Sequence, residues 1–113
     1  MSGRSTAVYR VTVEVAPEAE NAWTQWMDEE HIPAVLRLGR FLGVTRWKDQ
    51  ERAADGWARY VLHYRSESVA VIDAYQRSPD TVRLRDDYLA RFGKLTRLSR
   101  SVLAEPTFVS LRT

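Results

Sequence analysis

The sequence predicts a ferredoxin-like α+β fold, with a split βαβ arrangement, a four-stranded antiparallel sheet and helices on one face. Three observations support this prediction. Segments that alternate apolar and polar side chains, as strands do, occur near both ends of the chain and as a pair in its middle. Segments with helical periodicity lie between them, which gives the order β, α, β-hairpin, α, β. The length of 113 residues suits one domain with a single core.

The first strand is predicted at residues 8–15, where the segment VYRVTVEV alternates cleanly. Pro17 then favours the first turn of a helix, because that position needs no backbone amide proton. The helix carries a broad apolar stripe at helical spacing. Its members are Ala19, Ala22, Trp23, Trp26 and Met27. We therefore expect the two tryptophans to pack this helix against the sheet.

A proline interrupts this helical pattern. Pro33 has no amide proton and disfavours helical angles at Ile32, so we expect the helix to break or kink near His31. A second short helical piece, AVLRL, should follow and end at Gly39, a residue type common at helix C-termini. His31 would then lie at an irregular point, with its ring either directed into a cavity or bonded to the freed backbone groups.

The middle of the chain predicts a β-hairpin followed by helices. Residues 41–50 and 57–65 have strand-like patterns, and the turn-forming segment AADG at residues 53–56 separates them. Two helical pieces follow, of which the second opens at Pro79 and ends at Gly93.

The C-terminal part predicts one more strand. The segment KLTRLSRSVLAE at residues 94–105 supplies it, and we interpret the segment TFVSLRT after Pro106 as a further edge strand. The whole chain, residues 1–113, is expected to form a single domain. Its ordered core should span about residues 8–104, with a C-terminal tail at residues 105–113.

The two faces of the third strand differ in character. One face is apolar and belongs against the helices: Ala58, Tyr60, Leu62 and Tyr64. The other mixes aromatic and cationic side chains: Trp57, Arg59, Val61, His63 and Arg65, joined by Arg10 from the first strand. The second strand adds one of two sets to this mixed face: Phe41, Thr45 and Trp47, or Leu42, Val44 and Arg46.

The mixed face is expected to have a partner, because a solvated sheet face usually carries fewer tryptophans. Two such faces packed together would form a homodimer that encloses a barrel with a partly polar lining. The predicted interface contains Trp57, Arg59, Val61 and His63. In the alternative interpretation the tryptophans only fill space between the subunits, without a functional cavity.

Composition excludes several classes of protein. The net charge of +2, with charges of alternating sign, does not favour nucleic-acid binding. The absence of cysteine excludes disulfides and thiolate metal sites, and His31 and His63 have no metal-ligand spacing, so neither a metal nor a cofactor is predicted. No apolar run predicts a membrane span or an export signal, so we expect a cytoplasmic domain without membrane contact.

The two histidines are the candidate catalytic residues. A neutral imidazole suits proton transfer near neutral pH, and both His31 and His63 are candidates for that role. Arg59 and Arg10 are candidates to bind a carboxylate, enolate or phenolate. An interior ion pair with Glu14 is the alternative role for such an arginine.

A family resemblance rests on the run WTQWMDEEHIPAVLRLGRF, the hairpin after it and the late segment LRDDYLARFG. This pattern resembles a bacterial family of domains of unknown function in the dimeric α/β-barrel superfamily. It covers residues 8–104, and its signature is Trp-x-x-Trp-x(4)-His-Ile-Pro. The resemblance implies the fold and a homodimer, but no particular reaction.

More distant relatives in that superfamily include cofactor-independent monooxygenases, haem-degrading enzymes, ethyl tert-butyl ether degradation-type proteins and muconolactone isomerase-like enzymes. Some of them carry a tryptophan followed by His-x-Pro on the first helix, similar to Trp26 and His31-Ile32-Pro33.

Two functions are consistent with these observations. In the first, the barrel binds a small aromatic or polyketide-like anion and acts as a cofactor-independent monooxygenase, isomerase or cyclase. Its site would use the histidines for proton transfer, Arg10 and Arg59 as the anion clamp, and an apolar wall of three tryptophans: Trp26, Trp47 and Trp57. In the second, the protein is a non-catalytic dimeric metabolite-binding or interaction domain.

Overall fold

The computed structural model describes residues 7–111 and has the predicted ferredoxin-like fold. Its strands are β1 Ala7–Val15, β2 Gly43–Lys48, β3 Ala58–Ser66 and β4 Thr96–Ala104. They form one antiparallel sheet in the order β2-β3-β1-β4, so the first strand is central. The helices are α1 Glu20–Trp26, α2 Ile32–Arg37, α3 Val69–Arg77 and α4 Pro79–Phe92. No helix of the described part is long and apolar enough to cross a membrane.

The alternating strands place their apolar side chains under the helices. Tyr9 and Val13 on β1 and Leu62 on β3 are almost completely buried. Trp23 of α1 has no exposed surface, and its ring centroid lies 4.9 Å from that of Tyr60 on β3. The core therefore lies between one face of the sheet and the helix layer, and within residues 7–111 no helix covers the opposite face.

The open question about β2 is resolved by its pairing with β3. Thr45 lies opposite His63 and Trp47 lies opposite Val61, and directly paired residues share a face. Thr45 and Trp47 therefore belong to the uncovered face. Phe41 precedes the strand and is buried in the core instead. We call the surface formed by this side of all four strands the uncovered face.

Of the expected break or kink near His31, the break is wrong, but the helix is irregular at this point. The chain stays helical from α1 to α2, and the link between them, Met27–His31, is a widened π turn. In this turn the amide of Ile32 donates to the carbonyl of Met27, five residues earlier. The wider turn accommodates Pro33, because the missing amide falls in the first turn of α2, where a proline is tolerated.

The predicted ends of two strands also need correction. β2 spans six residues, Gly43–Lys48, and not the longer segment 41–50. The segment after Pro106 forms no edge strand up to Leu111, and the last two residues of that predicted strand lie outside the described part. The backbone of Glu105 has a positive φ of 54°, which turns the chain away from the line of β4, and Pro106 has no amide to donate to a neighbouring strand.

Candidate ligand-binding site

A cavity of about 370 Å³ lies between the helix-covered face of the sheet and α4. Apolar surface makes up most of its wall, including that of Val11, Leu62 and Leu98 from the strands and of Met27 from the π turn. The polar residues that line it are four tyrosines, two arginines, one histidine and one threonine: Tyr9, Tyr64, Tyr75, Tyr88, Arg85, Arg100, His31 and Thr96. An apolar cavity with a few convergent polar groups is the usual form of a small-molecule site.

His31 enters the cavity because of the π turn. In a regular α-helix, residues five apart point about 140° away from each other. Here the His31 ring stacks on Trp26, five residues earlier, with centroids 5.2 Å apart and planes inclined by 27°. Arg46 of β2 holds the turn in place, because its two terminal nitrogens bond the two carboxylate oxygens of Asp28 at 2.6 and 3.1 Å.

Burial keeps the His31 imidazole neutral. The loss of hydration lowers its pKa to about 4, and the nearby carboxylate of Asp87 offsets part of that effect. Its ring also lies 5.5 Å from the ring of Tyr88, measured between centroids. At neutral pH one ring nitrogen therefore carries a lone pair that can accept a hydrogen bond or a proton.

The hydroxyl of Tyr88 is fixed by a chain of hydrogen bonds. It accepts a bond from the indole nitrogen of Trp23 at 3.0 Å and donates to the hydroxyl oxygen of Thr96 at 2.9 Å. Thr96 in turn donates to the carbonyl of Phe92 at 2.8 Å. Burial raises the pKa of Tyr88, so it stays protonated. Its proton is already committed, and Tyr88 offers the cavity an acceptor lone pair only.

The two cavity arginines have no carboxylate partner within the described part of the chain. Arg85 donates to the hydroxyl of Tyr9 at 3.0 Å, and Arg100 projects from the helix-covered side of β4. The ion pairs found in residues 7–111 involve neither arginine. None of the described residues that line the cavity is acidic. The cavity is therefore electropositive and suited to an anion.

Of the candidate residues predicted from the sequence, the structure brings His31 to this cavity and Trp26 next to it. The others lie on the uncovered face or at its margin. Arg10 and His63 are direct cross-strand partners there, and Trp47 is exposed, with 57% of its surface accessible. The structure thus separates the two candidate histidines by the thickness of the sheet.

Arg59 and Trp57 take part in a charged cluster on the uncovered side. Arg59 bonds the carboxylates of Glu14 at 3.2 Å and Asp49 at 3.3 Å, so the ion pair with Glu14, the alternative role for such an arginine, is present. Arg97 also bonds Glu14, at 3.0 Å, and its guanidinium lies 4.0 Å from the ring centroid of Trp57. These arginines already have anionic partners within the chain.

The sequence pattern does not mark the cavity tyrosines, Arg85 or Arg100 as site residues. The tyrosines fall in the apolar phase of the strand and helix patterns, which marks them as core without showing that space remains beside them. One signal was available: several tyrosines share the helix-covered side, and each buried hydroxyl needs a partner or a ligand.

Comparisons with known proteins agree with this architecture. A family model described as a domain of unknown function, DUF4286, matches residues 6–105. The chain is a member of the DUF4286 family. No curated protein matches the sequence. The family match covers residues 6–105. That the tryptophan–histidine pattern in residues 23–33 is a signature of the family stays a prediction.

Solved structures similar to this DUF4286 member share its fold. A monooxygenase from Streptomyces coelicolor, solved in complex with nanaomycin D, has a TM-score of 0.68 at 16% identity, over 96% of this chain and 94% of the other. An ethyl tert-butyl ether d (ethd) family protein from Bacillus halodurans has a TM-score of 0.67 at 14% identity, over 88% and 99%. HapK from Hahella chejuensis has a TM-score of 0.67 at 10% identity, over 95% and 99%.

Proposed function

We propose that this protein binds a small organic anion, aromatic or polyketide-like, in the cavity between the sheet and α4. One observation carries the proposal: His31, Arg85 and Arg100 reach a mainly apolar cavity of about 370 Å³ whose described lining residues include no acid. The apolar wall suits a flat carbon skeleton, and the arginines suit its negative charge. The similar monooxygenase bound to nanaomycin D is consistent with a ligand of this kind.

The reaction best supported by these groups begins with proton transfer. A hydroxyl or an acidic C–H of the ligand gives its proton to the free ring nitrogen of His31, and the electron pair stays on the ligand as a phenolate or enolate. Arg85 and Arg100 stabilise that charge, and the anion in turn stabilises the imidazolium. Cofactor-independent oxygenation, isomerisation and cyclisation can all start from such an anion.

A non-catalytic metabolite-binding domain is the second candidate, and the state of His31 favours it. Because burial lowers the pKa of His31 to about 4, the residue is a weak base before a ligand binds. Binding alone needs only the apolar wall and the arginines. The two candidates differ in whether replacement of His31 removes turnover or leaves the bound compound unchanged.

The uncovered face supports a second part of the proposal, a homodimer. Trp47 leaves 57% of its surface accessible there, and Trp57 and Val61 are only partly covered. A sheet face with tryptophans and no helix over it is the kind of surface that a second copy buries. Arg10 and His63 would then lie between the two sheets, where they could contact a ligand shared by both subunits.

A thermal-shift screen of aromatic and polyketide-like acids tests ligand binding. We expect at least one acid to raise the melting temperature of the wild type, and Arg100→Met to reduce that shift. His31→Gln then separates the two candidates, since it should remove turnover of the bound acid if the protein is an enzyme. Stabilisation by no acid, or equal stabilisation of the Arg100 variant, would contradict the proposed site.

A further inference from the structure

The polar groups that line the cavity differ in whether they already have hydrogen-bond partners, and two tyrosine hydroxyls do not. Tyr64 and Tyr75 are nearly buried and line the cavity, yet neither hydroxyl has a hydrogen-bond partner within residues 7–111. They are not sealed in the core either, because Thr81 Oγ1 is the only fully buried, unpartnered side-chain oxygen or nitrogen in that range. Both hydroxyls therefore reach the open space of the cavity.

A third hydroxyl has a proton to offer at the same place. The hydroxyl oxygen of Tyr9 accepts the bond from Arg85, so its own proton is free to be donated. The ring centroid of Tyr9 lies 6.2 Å from that of Tyr64 and 5.7 Å from that of Tyr75. Tyr88 differs from these three, because its proton already goes to Thr96.

The unpartnered hydroxyls stay protonated under ordinary conditions. Burial raises the pKa of Tyr75 to about 12 and raises that of Tyr64 further. Each hydroxyl would also be harder to ionise beside a charged neighbour, since a negative charge on Tyr9 or Tyr75 raises the pKa of Tyr64. Tyr64 and Tyr75 thus present hydrogen-bond donors and no negative charge to a ligand.

We propose that the hydroxyls of Tyr9, Tyr64 and Tyr75 form a donor site for one oxyanion, and that the ligand is a conjugated phenolate or enolate. Several O–H donors aimed at one region bind a charged oxygen more strongly than a neutral one. His31 lies beside Tyr88, whereas Tyr75 is carried by α3 and has ring contacts with Tyr9. This assignment rests on the proposed function and adds to it the ligand group that binds the three tyrosine hydroxyls, which is the charged oxygen.

The test uses 4-nitrophenol, whose phenolate absorbs visible light, with the uncharged 4-nitroanisole as its matched probe. Titration of the dye with pH in excess protein gives the pKa of the bound phenol. We expect the wild type to lower that pKa relative to the free dye. Tyr64→Phe and Tyr75→Phe should each weaken phenolate binding about tenfold, which raises the bound pKa, and should change 4-nitroanisole binding less than about twofold.

Tyr60→Phe is the control, because the Tyr60 hydroxyl bonds Glu20 at 2.6 Å and does not line the cavity. It should leave both probes unaffected. If the wild type binds the phenolate and both Tyr64→Phe and Tyr75→Phe bind it equally well, the donor site is overturned and the proposed function stands. A wild type that binds neither probe nor any acid of the screen would overturn both.

Folding of the variants is part of the same test. Each substitution removes a hydroxyl that has no partner in the described structure, so both variants should melt within a few degrees of the wild type. Two variants that fail to fold would show that these hydroxyls stabilise the protein itself, which would contradict the proposed role.

Discussion

The two faces of the same sheet treat their charges in opposite ways. On the uncovered side, Arg59 and Arg97 are cationic and conspicuous, yet both bond Glu14 and so have partners within the chain. On the helix-covered side, Arg85 and Arg100 reach a cavity without a described carboxylate in its wall. The comparison teaches that an unpaired cation in an apolar space indicates a ligand site better than a cluster of exposed charges does.

The largest difference in stability is expected between two aspartate substitutions at neighbouring positions of β3, one on each face of the sheet. Leu62 is 1% exposed in the core, whereas Val61 lies on the uncovered face. Leu62→Asp should destabilise the fold by more than about 5 kcal/mol, since it removes a buried apolar group and buries a charge. Val61→Asp should leave a folded monomer, because the charge disfavours only the proposed dimer contact.

Circular dichroism and light scattering together distinguish these outcomes. A wild type that scatters as a monomer at micromolar concentration, or a Val61→Asp variant that stays dimeric, would contradict the assignment of the uncovered face as the dimer interface.

An intermediate loss of stability is expected when the pH is lowered, and it depends on His31, which lies on the helix-covered side of the sheet. The pKa of His31 is about 4 when folded and about 6.5 when unfolded, so between these values the unfolded chain binds the extra proton. Stability from this residue is complete above about pH 6.5 and is lost as the pH falls towards 4. The loss should reach about 3 kcal/mol at pH 4.

Urea denaturation at pH 7 and pH 4 measures this loss, with His31→Gln as the matched control. The variant keeps the other residues around the ring, so the comparison isolates the contribution of the imidazole. An equal loss of stability in both proteins would show that His31 is not held neutral by burial.

The smallest of these effects concerns two arginines on opposite sides. Arg100→Met should weaken binding of a cavity acid about tenfold, the usual order for a lost charged hydrogen bond. Arg59→Met should change the affinity less than about twofold, because Arg59 already bonds Glu14 and Asp49. Calorimetric titration of both variants decides between the sides. Loss of binding in Arg59→Met alone would place the ligand on the uncovered face.

The fold followed from the sequence because its strand patterns are unambiguous. The alternation in residues 8–15 and 57–65 fixes which side chains share a face, and it placed Leu62 in the core correctly. The cavity did not follow, since a polarity pattern tells which way Tyr64 points but not whether the space before it is filled. Arg100 was missed for a related reason, because it breaks the apolar phase of an edge strand.

His31 was found for a reason that the structure revises. The residue types around Pro33 correctly indicated an irregular point, but the expected irregularity was a break or a kink at the proline and not an added residue in the turn before it. Local rules for proline describe a regular α-helix, and they do not anticipate that the chain will add width to a turn while it stays helical.

That extra width has a consequence for chain length. A π turn holds one residue more than an α-helical turn, and each residue of an α-helix rotates the following side chains by about 100°. If Glu30 were deleted, the segment Met27–His31 would close to a regular turn, and Trp26 and the histidine, then four residues apart, would still share one face of the helix. The π turn therefore absorbs one additional residue between Trp26 and Pro33 while the contact of the tryptophan with the histidine is kept, so this stretch can tolerate a length change of one residue.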